Sequence, residues 1–295
     1  MLNMHRILVP VALTDGLPDT SRHLLLEAAW MARRFQAEII LLHVVTPLYY
    51  PYGLLESGHE ITARDLHADV VRCAQKRLEE ASLQELDGVT VTRVLLRGDP
   101  AHEIAEAARS HNAGLIVMST HGHGPLYRLL LGSVTAKVLH ETQCPVLTGA
   151  HVEQSQNREF SIRRVLCSVD LTPHNHHTLS VAAGFAAAVD ATLTLVHVTA
   201  SVEVWGPGGS HIDPVWQETL VGGAAKEIAR LQHEVGTNVE VIVESGSVPL
   251  MLNRAARQTG ADVLVVGHTA GRSHLGDNGE GYGIIRDSCI PVLSV

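Results

Sequence analysis

The sequence lacks the features that several classes of protein require. Its four cysteines stand far apart and form no CxxC pair, which argues against a disulfide framework or a zinc cage and favours the reducing cytoplasm. Lys and Arg number 22 against 31 Asp and Glu, a net charge of −9, so no basic excess favours nucleic acid or anionic membranes as partners. The N-terminus also lacks the apolar core and cleavage site of a signal peptide.

Three nucleotide-dependent or hydrolytic motifs are missing as well. The chain contains no GxxxxGK[ST] loop of a P-loop ATPase, no SGGxDS segment of an ATP pyrophosphatase and no GxSxG turn of a hydrolase. No other set of side chains forms a recognisable catalytic arrangement. The sequence therefore predicts a binding protein with no catalytic residues.

The 295 residues contain two similar halves, offset by about 150 residues. Matching segments keep the same order in both halves, which indicates a tandem duplication. The clearest pairs are Arg6–Val11 with Arg164–Val169, Leu42–Val44 with Val196–Val198, Leu115–Met118 with Val263–Val266, and Cys144–Leu147 with Ile290–Leu293.

Short apolar runs alternate with segments of helical spacing, a pattern typical of a parallel sheet covered by helices. In the first half we expect five strands near residues 6–12, 38–45, 89–97, 114–119 and 145–149. The first helix follows the capping candidates Asp19, Thr20 and Ser21, and its counterpart in the second half is expected at Ser180–Val189. The predicted domains are residues 1–150 and 160–295, joined by a polar linker at 151–159.

The most informative segment follows the fourth strand of the first half. Ser119-Thr-His-Gly122 is separated by nine residues from Gly132-Ser133-Val134, and a helix is predicted to begin there. Glycines let backbone N–H groups approach an anion, and a helix N-terminus favours phosphate. Ligands of an open parallel sheet lie beyond the carboxyl ends of its strands, where Pro10-Val11-Ala12 and Val44 are also expected. This arrangement suits a nucleotide.

These segments resemble the universal stress proteins. The resemblance covers both halves and is carried by ILVPV, LLHVV, RGDPAHEI and STHGHGPLYRLLLGSVTAKVL. It implies two tandem doubly wound α/β domains of the adenine nucleotide alpha hydrolase-like type, each with a five-stranded parallel sheet in the order 3-2-1-4-5. It also implies ATP as ligand, with or without Mg²⁺. The site it implies in the first half comprises Pro10, Val11, Ala12, Val44, Ser119, Gly122, Arg128, Gly132, Ser133 and Val134.

Each half departs from the family pattern in its own way. In the first half, Ser119 replaces the first glycine and Ala12 replaces an aspartate; a serine held at positive φ costs roughly 1–2 kcal/mol. The second half keeps Asp170 and Gly267, but its loop aligns in two ways, through Gly271 or with Asn278-Gly279 opposite Gly132-Ser133. Both alignments lose the Ser or Thr. We expect binding mainly in the first half, and the second half to serve pairing or regulation. A residual site there comprises Val169, Asp170, Val198, Gly267, Gly271 and Gly281.

Other segments favour a structural interpretation. Thr120–His123 matches the Thr-x-Gly-His form of nucleotidylyltransferases but follows the wrong strand for that family. The histidines of His174–His177 lie at a predicted helix start without a carboxylate cluster, so no metal site is expected. Arg128 reaches a phosphate or is simply solvated. The loops at Tyr49–Tyr52 and Trp205–His211 either cover the site or pack on the neighbouring half.

The sequence thus predicts an ATP-binding stress-response and signalling module. The resemblance implies that edge strands near Pro145–Thr148 and Pro291–Ser294 pair the two halves, and a homodimer is expected. Two alternatives are open: a scaffold that acts through protein contacts without nucleotide, and a weak ATPase or autophosphorylating protein.

Overall fold

The computed structural model of the chain describes residues 4–13, 19–47, 63–81, 83–119, 131–149, 160–199, 203–206, 209–212, 214–267 and 280–295. These residues fall into two compact units. One unit is built from Asn3–Ser119 and Ser133–Cys144, and most of the other is Pro145–Val295.

The first unit is a parallel sheet in the order β3-β2-β1-β4, with helices between its strands. The Val, Ile and Leu runs form the strands because both faces of the sheet are covered, and Ile7, Leu8 and Ile39 are fully buried. Its elements are β1 (Arg6–Pro10), α1 (Asp19–Phe35), β2 (Glu38–Val45), α2 (Ala63–Glu80), β3 (Val91–Arg97), α3 (Pro100–Ser110), β4 (Leu115–Ser119) and α4 (Ser133–Glu141).

The second unit contains the last strand of the first repeat and all of the second repeat. Its elements are β5 (Val146–Gly149), β6 (Arg164–Ser168), α5 (Asn175–Ala188), β7 (Thr192–Thr199), β8 (Glu203–Gly206), β9 (Gly209–Ile212), α6 (Pro214–Val235), β10 (Glu240–Ser245), α7 (Val248–Thr259), β11 (Val263–Val266), α8 (Glu280–Asp287) and β12 (Val292–Ser294). Strands β10-β7-β6-β11-β12 are parallel neighbours in that order.

Strand β5 pairs with β12 in the antiparallel direction, with Val292 opposite Thr148 and Ser294 opposite Val146. The Thr148 hydroxyl donates a hydrogen bond to the Val292 carbonyl over 3.2 Å. The C-terminal strand of the chain is therefore held on both sides, by β11 in parallel and by β5 in antiparallel.

The predicted fold class is confirmed. The order β10-β7-β6-β11-β12 is the predicted 3-2-1-4-5 of the second repeat, and β3-β2-β1-β4 gives its first four positions in the first repeat. The strand bounds agree with the predicted ones to within a few residues. The domain boundaries at 150 and 160 stay a prediction.

Three local predictions need correction. Helix α1 begins at Asp19, so Asp19, Thr20 and Ser21 form its first turn instead of preceding it. Helix α5 begins at Asn175, which agrees with the start expected at His174–His177 but lies five residues before Ser180. The segment predicted as a loop after β7 contains an antiparallel hairpin, in which Glu203 pairs with Ile212 and Gly206 with Gly209. The Tyr49–Tyr52 loop lies outside the described residues.

Candidate functional site

Several of the predicted ligand-binding residues of the first repeat lie at the carboxyl edge of its sheet. Pro10 ends β1 and is followed by Val11 and Ala12, Val44 is the last residue but one of β2, and Ser119 ends β4. Parallel strands bring these ends to one edge. Gly122 and Arg128, which the sequence places in the same site, lie outside the described residues.

The start of α4 is attached to this edge. Ser133 is the first residue of α4 and is exposed, with Gly132 before it and the half-buried Val134 after it, as the glycine pattern predicts. The hydroxyl of the buried Thr135 donates to the Ser119 carbonyl over 2.9 Å. This bond fixes the N-terminal end of α4, with its partial positive charge, beside the end of β4. Sequence reasoning did not single out Thr135.

Ser119 does not carry the backbone strain considered for a non-glycine residue at this position. The described non-glycine residues with positive φ are Gln36, Asn112, Leu171 and Asp190, and Ser119 is not among them. The cost of roughly 1–2 kcal/mol for positive φ therefore does not arise at the end of β4.

The hydrogen-bond ladder between β1 and β2 ends at Val11. The Val11 N–H donates to the Leu42 carbonyl over 2.8 Å, and the Val11 carbonyl accepts from Nδ1 of the His43 imidazole at 2.9 Å. Because a carbonyl oxygen only accepts, Nδ1 of His43 carries the proton.

The main chain of Val44 faces the space beyond the end of β1. In a parallel sheet, the N–H and C=O groups of alternate residues point to alternate neighbours. The Leu42 carbonyl accepts from β1, and the Val45 carbonyl accepts from the Gly98 N–H on the β3 side at 3.2 Å. The N–H and C=O of Val44 therefore point to the β1 side, where the pairing stops at Pro10 and Leu42.

The second repeat has the same arrangement. The Val169 N–H donates to the Val196 carbonyl over 3.0 Å, and Nδ1 of the buried His197 donates to the Val169 carbonyl over 2.7 Å. The main chain of Val198 faces the end of β6 for the same reason, since the Thr199 carbonyl accepts from the β10 side. The structure thus repeats one edge geometry in both halves.

Asp170, the retained aspartate of the second repeat, belongs to a tight turn. Its Oδ1 accepts from the Thr172 N–H at 3.0 Å, from the Thr172 hydroxyl at 2.8 Å and from the Asn175 amide at 2.5 Å. The Asn175 Oδ1 in turn accepts from the Asp170 N–H at 3.0 Å. Leu171, between Asp170 and Thr172, adopts the left-handed backbone conformation, with φ 61°.

These bonds determine the protonation state of Asp170. Partial burial of the carboxyl group raises its pKa, but the hydrogen bonds from Thr172 and Asn175 outweigh that effect and leave the pKa below its ordinary value. The carboxylate is therefore ionised at neutral pH, and one of its two oxygens is already occupied by the turn.

The glycine-loop positions of the second repeat differ from those of the first. A Cβ on Gly267 would lie 2.7 Å from Oγ1 of the buried Thr178, so only glycine fits at the end of β11 without a shift of its neighbours. Gly281 lies in the first turn of α8, and Gly271 is outside the described residues. The residual site of the second repeat is thus described only through Val169, Asp170, Val198, Gly267 and the backbone of Gly281.

Two other features bear on function. Within the described ranges, no group of three or more His, Cys, Asp or Glu side chains is placed to hold a metal ion. No helix among the same residues is both long and apolar enough to cross a bilayer.

Comparison with known proteins gives the family. The sequence profile described as "Universal stress protein family" matches residues 3–148 and again residues 161–293. The chain belongs to the universal stress protein family. The two matches confirm that two universal stress protein domains follow one another along the chain, as the internal repeat predicts.

Individual universal stress proteins resemble either one repeat or both. A universal stress protein of Methanocaldococcus jannaschii is 35% identical over 142 residues, which is 48% of this chain and 79% of that protein. One from Mycolicibacterium smegmatis is 29% identical over 252 residues, 81% of this chain and 80% of that protein. The crystal structure of a universal stress protein from Archaeoglobus fulgidus shares the fold, with a TM-score of 0.64 at 22% identity, and covers 99% of this chain and 98% of its own.

Proposed function

We propose that this universal stress protein binds an adenine nucleotide, ATP in the first instance, at the carboxyl edge of its first repeat. The observation that carries the proposal is the main chain of Val44, whose N–H and C=O point past the end of β1. Adenine presents a ring-nitrogen acceptor beside an amino donor, which one residue's N–H and C=O can match. A few convergent polar groups at the switch point of a parallel sheet are typical of such sites.

The start of α4 supplies the phosphate side of the proposed site. Gly132 and Ser133 precede and begin this helix, and the Thr135 hydroxyl holds its first turn to the end of β4. Free N–H groups at a helix N-terminus favour anions. A nucleotide with its base at Val44 and its phosphates at Ser133 would use both ends of the crevice.

The first repeat is favoured over the second because Gly122 and Gly132 keep the family spacing and because Ser133 adds a hydroxyl. In the second repeat, Asp170 stands at the position of Ala12. Its Oδ1 already accepts hydrogen bonds from Thr172 and Asn175 within the turn. We propose that the second repeat serves pairing or regulation.

We further propose a binding and signalling module instead of an enzyme, located in the cytoplasm and assembled as a homodimer. Pro10, Val11, Ala12 and Val44 line one side of the proposed site, and none of them has a side chain that could activate a water molecule. Mg²⁺ would accompany the phosphates as part of the ligand.

The test is the nucleotide content of the purified protein, measured by heat extraction and chromatography and followed by titration with ATP. Gly132→Asp places a negative charge where the phosphates would lie, yet an aspartate before a helix stabilises that helix, so folding is retained. Asn278→Asp adds the same charge at the position that one of the two alignments places opposite Gly132, and it is the matched control.

Each outcome has a distinct meaning. One adenine nucleotide per chain, lost in Gly132→Asp and kept in Asn278→Asp, supports the proposal. Two per chain would place a second working site in the second repeat. No nucleotide, together with no rise in melting temperature on adding ATP, would refute the proposal and favour the nucleotide-independent scaffold. Phosphate release well above that of Gly132→Asp would indicate an ATPase.

A further inference from the structure

Both repeats contain one imidazole-to-carbonyl hydrogen bond at the end of their first strand. His43 donates from Nδ1 to the Val11 carbonyl over 2.9 Å, and His197 donates from Nδ1 to the Val169 carbonyl over 2.7 Å. Each histidine directly follows the residue whose carbonyl receives the last main-chain bond of the ladder, Leu42 in one repeat and Val196 in the other.

The imidazole occupies the acceptor that the ladder would use next. In a parallel ladder, the bond after Val11 N–H to Leu42 C=O would run from the Val44 N–H to the Val11 carbonyl. The pairing of β1 with β2 stops before that step, at Pro10 and Leu42. The pairing of β6 with β7 stops at the equivalent step, at Ser168 and Val196.

We infer that His43 is a positioning residue for nucleotide binding: by holding the Val11 carbonyl, it ends the ladder and leaves the Val44 N–H available to a ligand. The inference rests on the proposed function, because the ligand of Val44 is the proposed adenine base. His43 itself does not touch the nucleotide in this arrangement. Without the imidazole, the Val11 carbonyl is free to accept from Val44, and the ladder extends by one bond across the site.

The second repeat provides a matched control. His197 makes the same bond in the same place, so its loss removes an equivalent structural contact. The favoured nucleotide site, however, lies in the first repeat. An effect that acts only through overall stability predicts similar losses of nucleotide affinity in the two variants, whereas the positioning role predicts a loss only for His43.

The experiment compares three variants of the full chain by calorimetric titration with ATP. His43→Ala is expected to weaken binding roughly tenfold, the effect of one lost hydrogen bond at the base. His43→Asn is expected to bind within about threefold of the wild type, because the Asn amide nitrogen is separated from Cα by the same number of bonds as Nδ1 of histidine. His197→Ala is expected to bind like the wild type.

A second measurement is made without nucleotide. Amide hydrogen exchange at Val44 is expected to slow in His43→Ala, because this N–H becomes part of the ladder, and to stay as in the wild type in His43→Asn. Unchanged exchange in His43→Ala overturns the inference. So does an affinity loss in His43→Asn or in His197→Ala as large as that in His43→Ala. If the wild type binds no ATP, the proposed function fails, and the exchange at Val44 still decides whether His43 ends the ladder.

Discussion

Glu27 gives the sharpest test of the physical reasoning, because its carboxyl group is buried. It lies in the middle of α1 with 9% of its surface exposed, and no residue in the described ranges donates a hydrogen bond to its Oε2. Helix α1 packs on β1, β2 and β4, and the matching position of the second repeat is Val181. Burial raises the pKa of Glu27 from 4.5 to about 8.

The direction of the pH effect follows from this shift. Since the folded pKa lies above the unfolded one, folding takes up a proton between pH 4.5 and about 8. The contribution of Glu27 to stability is fully present below pH 4.5. Above that pH, the folding equilibrium constant falls by about tenfold per pH unit until about pH 8, where the decline ends. Between pH 5 and pH 8 the loss is on the order of 4 kcal/mol.

The perturbation is Glu27→Gln, which keeps the shape of the side chain but cannot ionise. Its unfolding free energy should lack most of the decline between pH 5 and pH 8. Urea unfolding can be followed through Trp30, which lies in the same helix, after replacing the other two tryptophans by Trp205→Phe and Trp216→Phe. The matched control is Glu141→Gln, an exposed carboxyl group of the same unit, which should keep the wild-type decline.

The result that would refute this reasoning is a Glu27→Gln protein whose stability declines between pH 5 and pH 8 as steeply as that of the wild type. In that case Glu27 is ionised in the folded protein at neutral pH, and its burial does not control its charge.

Two further predictions concern the second repeat. Gly267→Ala should destabilise the protein by about 1–3 kcal/mol, because the new Cβ meets Oγ1 of Thr178, and adding Thr178→Ala should recover part of that loss in thermal denaturation. Fully additive effects of the two changes would contradict the close contact. Asp170→Ala should lower the unfolding midpoint at pH 7, because the carboxylate that holds the turn is lost. Since the pKa of Asp170 lies below its ordinary value of 3.8, this stability is present above pH 3.8 and is lost as the pH falls through the lower folded value. The gap between the wild type and Asp170→Ala should therefore narrow in acid, and a gap that stays constant down to pH 2 would disprove the role of the charge.

The sequence predicts the strands well because the buried strands consist almost entirely of apolar residues. Runs such as Ile39–Leu42 and Val263–Val266 are continuous and β-branched or aliphatic, as strands covered on both faces must be. The internal repeat supports each of these predictions, because a matching apolar segment stands in the other half of the chain. The hairpin of β8 and β9 carries neither signal, since Glu203–Gly206 and Gly209–Ile212 have no apolar alternation and no strand counterpart in the described first repeat.

The candidate site is predictable only in part, because much of it is made by main-chain groups. Gly132 and Ser133 could be located from their spacing, and the helix begins where they predict. The open N–H of Val44 depends on the register in which β2 ends beside β1, which no single residue encodes. The one available signal was the histidine that recurs at positions 43 and 197, each one residue before a valine whose main chain faces the gap. Glu27 gave no signal, since a carboxylate on a helix normally faces solvent.

The pairing of β5 with β12 has a consequence for the order of events during synthesis. Thr148 and Val292 are separated by 144 positions along the chain, so the bond between them closes only after nearly the whole second repeat has been made. Until then, the side of β5 that β12 covers is an open strand edge on the nascent chain. Val292–Ser294 are thus the residues that complete this edge, and a chain without them would fold with one edge of β5 unpaired.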